Sequence, residues 1–477
     1  MLLPVLIALI TILISVVMFF IRNVRLVGRI VAVAGVVQFL LVLIYVMPLF
    51  LRSVPVLFLS NSFFVTRLDG AFVLLTAGIA ACTFIHSSIF YERELFNPKP
   101  PNSKNIRLNH ACAMFLVIAM YGVLLSKNIG YLWISVELAT LLSAVLIYFV
   151  RSRRALEATW KYLIICSVGI IFALLGTLFI FASSQHGAFP GGTLHFATLL
   201  EVAPQLDLNL LRFGYLFCLL GYGTVAGMFP VHSWLPDAHS EAPAPSSALL
   251  SGALLNGALF AIFRISQVVS ASNHGSVSSK ITLWMGTATV VAASLFLIRQ
   301  YALKRLFAYS SIGNVGLMLI AIGLNSGPLF FLQAINHSIA RVSLFLLSGN
   351  VIQATWKKNL RQHPGLLEAA PVWGVLMVLS AFAAIGAPPF GTFLAQWLIL
   401  MRAVDMRYYV PAALCLISLC LSSTTVCMHI GKVIFGSPSS NFDYFRPYAS
   451  STIPAILLLC SIILGVTSGS TIWLGLI

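Results

Sequence analysis

Apolar stretches of about twenty residues, separated by short polar or basic connections, recur from residue 2 to the end of the chain. They fall near 2–21, 30–50, 70–90, 109–126, 129–150, 159–184, 209–229, 244–267, 281–300, 305–324, 328–355, 370–400, 409–435 and 451–476, about 14 in all. Each is long enough to cross ~30 Å of hydrocarbon as a helix. A lone strand or loop at that depth would leave its amides without partners, so the pattern predicts an all-α, polytopic membrane protein. The first stretch has no basic residue ahead of it and no small-residue cleavage site after it, and reads as a retained helix.

Two stretches break the helical pattern. GYGTVAGMFPVHSWLPDAHSEAPAPSSALLSG, from Gly221 to Gly252, holds Pro230, Pro236, Pro243 and Pro245, and GAPPFGTFLAQW, from Gly386 to Trp397, holds Pro388 and Pro389. Proline removes an amide donor and clashes with the preceding turn, and at bilayer depth such breaks survive only where protein or water lines them. Paired broken helices point to an inverted repeat with an ion pathway at its centre. The expected organisation is a three-helix segment over 1–108, five-helix repeats over 109–280 and 281–435, and a C-terminal helix over 436–477. Two unrelated proline kinks in a bundle are the alternative.

Composition agrees with lipid as the main solvent: 60% of residues are hydrophobic, 8% are charged, and the mean hydropathy is +0.99 over 477 residues. The net charge of +16 does not form one patch, which argues for membrane topology and against nucleic acid as a partner. Basic clusters follow the odd-numbered stretches: Arg22, Arg25 and Arg29; Arg93, Lys99, Lys104 and Arg107; Arg151, Arg153 and Arg154; Lys304 and Arg305; Lys357, Lys358 and Arg361. The other loops are poorer, with Arg52, Arg67, Lys127, Lys280, Arg402 and Arg407, so both termini are expected to face outward. The eight cysteines lie in apolar stretches without CxxC or His-rich spacing and read as buried small hydrophobes. No ligand set for haem, iron–sulfur or zinc is visible, so the chain is expected to carry no cofactor of its own.

Chemistry rests on a few polar residues at depth. Glu137 lies in the middle of an apolar stretch, and a carboxylate there needs a partner or a proton to carry. Glu157 and Lys161 share a helix face at i,i+4 and are expected to pair at the interface. His337 and Arg341, one turn apart beside Asn336 and Ser338, combine a group able to pass a proton with a permanent cation. Asp237, His239 and Glu241 crowd a proline-rich connection below His232, and read either as a proton-collecting group near the inner surface or as a solvated connector. Lys304 and Arg305 are expected to snorkel to the inner interface. Asn256 can hold water but cannot exchange a proton, and His86, His110 and His429 read as satisfied structural residues.

At these residues the chain resembles the antiporter-like membrane subunits shared by respiratory complex I, Mrp-type cation/proton antiporters and membrane-bound hydrogenases. The matching text is WISVELATLLSA (Trp133 to Ala144), EATWKYLIICSVGI (Glu157 to Ile170), PDAHSEAPxPxSALLSG, LKRLFAYSSIGNVG (Leu303 to Gly316) and NHSIARVSLFLLSGN (Asn336 to Asn350). The PDAHSEAP form is most similar to the hydrogenase 4 component F and formate hydrogenlyase branch. The resemblance implies about 14 transmembrane helices with two inverted five-helix repeats and two broken helices. It also implies proton or sodium translocation and a bacterial or archaeal plasma membrane. As partners it implies other membrane subunits of a hydrogenase-like or complex I-like assembly and its peripheral redox arm. By position, Glu137 matches the family's fifth-helix glutamate and His337 its eleventh-helix relay, with Arg341 beside it. The seventh-helix lysine reads Val225, the eighth-helix relay Asn256 and the twelfth-helix exit group Gln396. Valine cannot tune a carboxylate and glutamine cannot release a proton, so a non-pumping scaffold or a separate antiporter stands as the alternative.

Overall fold

The computed structural model describes residues 2–51, 56–58, 64–97, 100–187, 191–272, 275–356, 365–436 and 447–467. Arg52, Lys99, Lys357, Lys358 and Arg361, used above for orientation, lie outside the described residues, as does the end of the last apolar stretch. The helices are α1 Leu2–Met18, α2 Val24–Leu51, α3 Arg67–Glu94, α4 Ser103–Leu125, α5 Ile129–Ile147, α6 Arg153–Gly187, α7 Phe196–Glu201, α8 Leu208–Ala226, α9 Trp234–Glu241, α10 Ala244–Leu249, α11 Leu255–Ala271, α12 Gly275–Leu297, α13 Leu303–Gly323, α14 Gly327–Thr355, α15 Leu366–Ala369, α16 Pro371–Ile385, α17 Gly391–Asp405, α18 Tyr409–Ile434 and α19 Pro447–Thr467. A short antiparallel strand pair, Val56–Phe58 with Phe64–Thr66, precedes α3 and is the one sheet among the described residues.

Twelve helices among the described residues are long and apolar enough to cross a membrane. The first and twelfth expected spans fall short as single helices: α1 has 17 residues, and α16 has 15 because it stops at the second break. The α10–α11 helix and α14 are almost wholly enclosed, whereas α2 and α18 present apolar faces outward. The expectation that all cysteines are buried is corrected here. Cys112, Cys166, Cys218 and Cys415 are buried, but Cys82 is half-buried and Cys420, Cys427 and Cys460 are exposed. In a lipid-facing helix an exposed position is as apolar as the core, so hydrophobicity alone does not separate the two.

Close packing between neighbouring helices comes from glycine. On α6, Gly169 and Gly176 face Gly214 and Gly221 of α8, and on α12 and α13 Gly286 faces Gly316. Small residues let the backbones approach where lipid offers no hydrophobic drive for association. A Cβ on Gly221 would stand 2.5 Å from both Gly169 O and Ala173 N.

Both predicted breaks are present. α8 ends at Gly227, whose φ of +77° is left-handed, and the chain resumes as α9 at Trp234. The Trp234 indole donates to Thr224 O at 2.8 Å, satisfying a carbonyl released by the break. α16 ends at Gly386, φ +79°, and α17 starts at Gly391. Between α10 and α11 a π-helical turn, Leu250–Leu254, widens the helix in the middle of the bundle. One end of the bundle gathers the α2, α4, α6 and α13 N-termini with Arg25, Arg107, Arg153 and Arg305, and is called the basic end below.

Candidate functional site

The basic end opens on an ion cluster held by the displaced half-helix. Asp237 of α9 accepts from Lys161 Nζ of α6 at 2.7 Å and from Arg305 Nη2 of α13 at 3.2 Å. Lys161 therefore pairs with Asp237, not with Glu157. A carboxylate set between two cations on separate helices gains more than a single exposed i,i+4 pair offers. The three side chains stay a quarter to two-fifths exposed, so solvent screens them. Asp237→Asn is expected to lower stability by only ~1 kcal/mol. Thermal unfolding in detergent at two salt concentrations checks this, with the difference shrinking at high salt.

Lys304 does not snorkel. It is buried, and its Nζ donates to Ala242 O at 2.6 Å. The turn between α9 and α10 carries Pro243, which has no amide to offer, and the lysine answers a carbonyl that backbone cannot. Glu241, on the same turn, is half-buried and engaged by neighbours.

His239 is fully buried, its ring stacked on Phe345 of α14 with centroids 4.9 Å apart, and neither ring nitrogen has a hydrogen-bond partner in the protein. The proline-rich connection is therefore not a solvated connector at this position. His337 of α14 is also buried; its ring approaches the Ser251 backbone of the π turn without a hydrogen bond of normal geometry, and it lies within electrostatic reach of Arg341 and His239. Arg341 Nη2 donates to Ser310 O at 3.1 Å, Ser310 Oγ at 2.7 Å and Ala384 O at 3.3 Å. The guanidinium thereby ties α14 to α13 and to the last turn of α16 above the break. Nε and Nη1 remain without partners.

The π turn supplies the next station. Gly252 O accepts from Asn256 Nδ2 at 3.0 Å and from Ser338 Oγ at 2.9 Å, and Asn256 also donates to Ser338 Oγ at 2.7 Å. Asn256 Oδ1, Asn336 Oδ1 and Gln333 Oε1 are buried and unpartnered. Gln396 of α17 is 6% exposed and lies against Gly386 at the break. Pro230 and Pro388–Pro389 sit in the two gaps themselves. Buried polar atoms without protein partners are costly unless water answers them, so this cluster is where the bundle interior calls for water.

Glu137 lies apart from that cluster. It is half-buried at the α5–α6 seam, accepts from Thr140 Oγ1 at 3.2 Å, and has Tyr162 and Cys166 as electrostatic neighbours. Ile134, Leu138 and Leu141 around it are exposed. No hydrogen bond or ion pair among the described residues joins it to His239 or His337. Val225, where the resemblance to the antiporter-like subunits leads one to expect a lysine, is fully buried.

Several functional side chains escaped sequence reasoning. Ser310, Asn314 and Gln333 join the centre, the last two by a 2.6 Å hydrogen bond. At the end opposite the basic one, Arg264 of α11 is buried 3.7 Å from Asp69 of α3 and 4.7 Å above the Phe196 ring. For Arg264, a charged residue inside an apolar run was the available signal. Asp69 was hidden because it opens its helix as part of a capping box with Thr66.

The family described as "NADH:quinone oxidoreductase/Mrp antiporter, TM" matches residues 126–422. The chain belongs to this antiporter family. Among curated relatives, the hydrogenase-4 component F homolog of Methylacidiphilum infernorum (isolate V4) is 35% identical over 393 residues, covering 81% of this chain and 82% of that one. A chain of the membrane-bound sulfane sulfur reductase, an archaeal respiratory membrane complex, superposes with a TM-score of 0.84 at 21% identity, over 99% of this chain and 94% of that one. A chain of the Mrp complex from Dietzia sp. DQ12-45-1b gives 0.82 at 17% identity, over 99% and 95%. The fold is thus that of antiporter-family subunits, and the protein is a multi-pass membrane protein whose structural neighbours belong to multi-subunit membrane complexes. The matched residues include both breaks and the α14 cluster, while α1 to α4 and α19 lie outside them.

Proposed function

We propose that this chain is the ion-translocating membrane subunit of a redox-driven complex of the hydrogenase type, carrying protons between the basic end and the centre of the bundle. The observation that carries the reading is the pair of buried histidines, His239 and His337, with unengaged ring nitrogens and within electrostatic reach of each other. An imidazole takes a proton on one nitrogen and releases it from the other, and histidine's ordinary pKa suits that exchange near neutral pH. Asp237, Lys161 and Glu241 collect protons at the basic end, and Lys304 holds the α9–α10 turn in place. Arg341, Asn256 and Gln396 orient water without releasing protons themselves. Hard metal cations favour oxygen ligands. Imidazole and guanidinium at the centre therefore favour proton over sodium.

In this reading residues 109–280 and 281–435 act as inverted repeats, each with one broken helix, flanked by 1–108 and 436–477. The basic end faces the cytoplasm of a bacterium or archaeon, both termini face outward, and neighbouring membrane subunits with a peripheral redox arm supply the drive. Glu137, at the α5–α6 seam, is the side chain that would couple such a neighbour to the centre. Proton flux by the assembled complex in proteoliposomes tests the role: Glu137→Gln is expected to slow it several-fold, and equal flux removes Glu137 from the path. A non-pumping scaffold is the second reading, favoured by Val225 and Gln396 in place of titratable groups; wild-type complex with redox turnover and no flux would establish it.

A further inference from the structure

α14 carries a second polar stripe, on the side turned toward α16, α17 and α19. Asn336, Ser343 and Asn350 recur every seven residues, so they share one helix face. Each is buried. Asn350 Nδ2 donates to Ser450 O of α19 at 3.1 Å. Ser343 and Ser380 of α16 share a hydrogen bond at 2.8 Å. Asn336 Oδ1 is unpartnered and abuts Gly391 at the start of α17, where Thr392 Oγ1 is also buried and unpartnered.

At the basic end this stripe meets the last turn of α3. Gln353 Nε2 donates to Glu94 Oε1 at 2.8 Å, and Glu94 is half-buried at the rim. Just inside lies a cavity of about 10 Å³ bordered by Arg93, Asn350, Gln353 and Ser450 and by the apolar Ile89, Phe90 and Trp373, at the lower limit for one water molecule. His86 of α3 is 1% exposed and approaches the Asn350 side chain and the Ser450 backbone, though neither ring nitrogen makes a hydrogen bond of normal geometry with them. Asn350 and Ser450 also border the water-sized cavity, so the imidazole stands one residue from it.

We infer that this stripe is a second water-accessible intake, running from Glu94 at the basic end past His86, Asn350 and Ser343 to Asn336 and Gln396 at the second break. It bypasses Asp237, His239 and Glu137. Successive stations on α14 are ~10 Å apart along the helix, so water, not side-chain contact, bridges them. A proton entering on Glu94 forms an O–H bond that breaks as the cavity water accepts it. His86 then gains a proton on one ring nitrogen and loses one from the other, and the amides and hydroxyls only orient water. Two of the elements involved, α3 and α19, lie outside residues 126–422.

The inference shares the membrane setting of the proposed function but not its conduction, and labelling separates the two. In inverted membrane vesicles holding the assembled complex, Ser343→Cys is subjected to X-ray radiolysis, which generates hydroxyl radicals from bound water in place, and oxidation at position 343 is followed by mass spectrometry. The radical reacts within a few ångströms of the water that forms it, so a dry site is modified only through rare local opening. Ser343→Cys is expected to react at least about tenfold faster than Val342→Cys, which is equally buried but about 100° round the same helix and off the polar stripe, and adding Asn350→Leu is expected to abolish the difference. Equal rates, or a rate indifferent to Asn350→Leu, overturn the intake. Should Ser343→Cys not assemble, Ser380→Cys across the same hydrogen bond gives the same comparison. Labelling intact with no proton flux in wild type sinks the conduction reading and leaves the intake standing.

Discussion

Replacing His337 with leucine is expected to reduce proton flux through the assembled complex by roughly 10²-fold, the lower end of what a positioned proton-transfer group contributes. Stability should fall little with it. His337 has no side-chain partner and only the Ser251 backbone close to its ring, so leucine forfeits at most the ~1 kcal/mol of one hydrogen bond. A structural residue would behave oppositely, losing melting temperature first and flux only as a consequence. Paired measurement of fluorescence-monitored proton uptake in proteoliposomes and thermal unfolding in detergent separates the cases. Unchanged flux in His337→Leu would remove the histidine pair from the path, and with it the observation on which the proton reading stands.

The second large effect is expected from Gly221→Val. Even a single Cβ at this position would reach 2.5 Å from Gly169 O and Ala173 N, which belong to the backbone of α6 and cannot rotate away. The helices would have to separate, taking Gly176 and Gly214 out of contact one to two turns along. Overpacking against movable side chains costs about 1–3 kcal/mol, and against backbone the value should exceed ~3 kcal/mol. The variant is expected to unfold at markedly lower temperature and to fail to assemble. Gly313→Ala, whose Cβ meets only Ala293 Cβ at 3.7 Å, is the matched control and should behave as wild type. Equal stability of the two variants would show that the α6–α8 seam is looser than its glycines indicate.

The all-helical class and the two breaks were legible in the chain because each follows from a local rule, apolar length and proline geometry; the number of spans was not, about 14 being expected where twelve described helices are long and apolar enough to cross. Site residues were legible only as types. His337 and Arg341 stand out in any apolar run, but their partners Ser310 and Ala384 come from helices far off in sequence. Lys161 shows the limit most clearly. Its i,i+4 neighbour Glu157 is the local choice, yet Asp237, 76 residues away, takes the ion pair because the break in the seventh span carries α9 in between α6 and α13.

Glu137 marks the same boundary from the other side. Sequence alone determined that a carboxylate sits at mid-span and that two spans are fractured, since hydropathy and proline content are properties of the string. Whether the acid meets those fractures depends on how helices pack around one another, and packing placed it at the α5–α6 seam while histidines took the centre. Helix propensity and burial act within about twenty residues; the polar groups that share an interior are chosen by the crossing of helices, which only the tertiary structure decides.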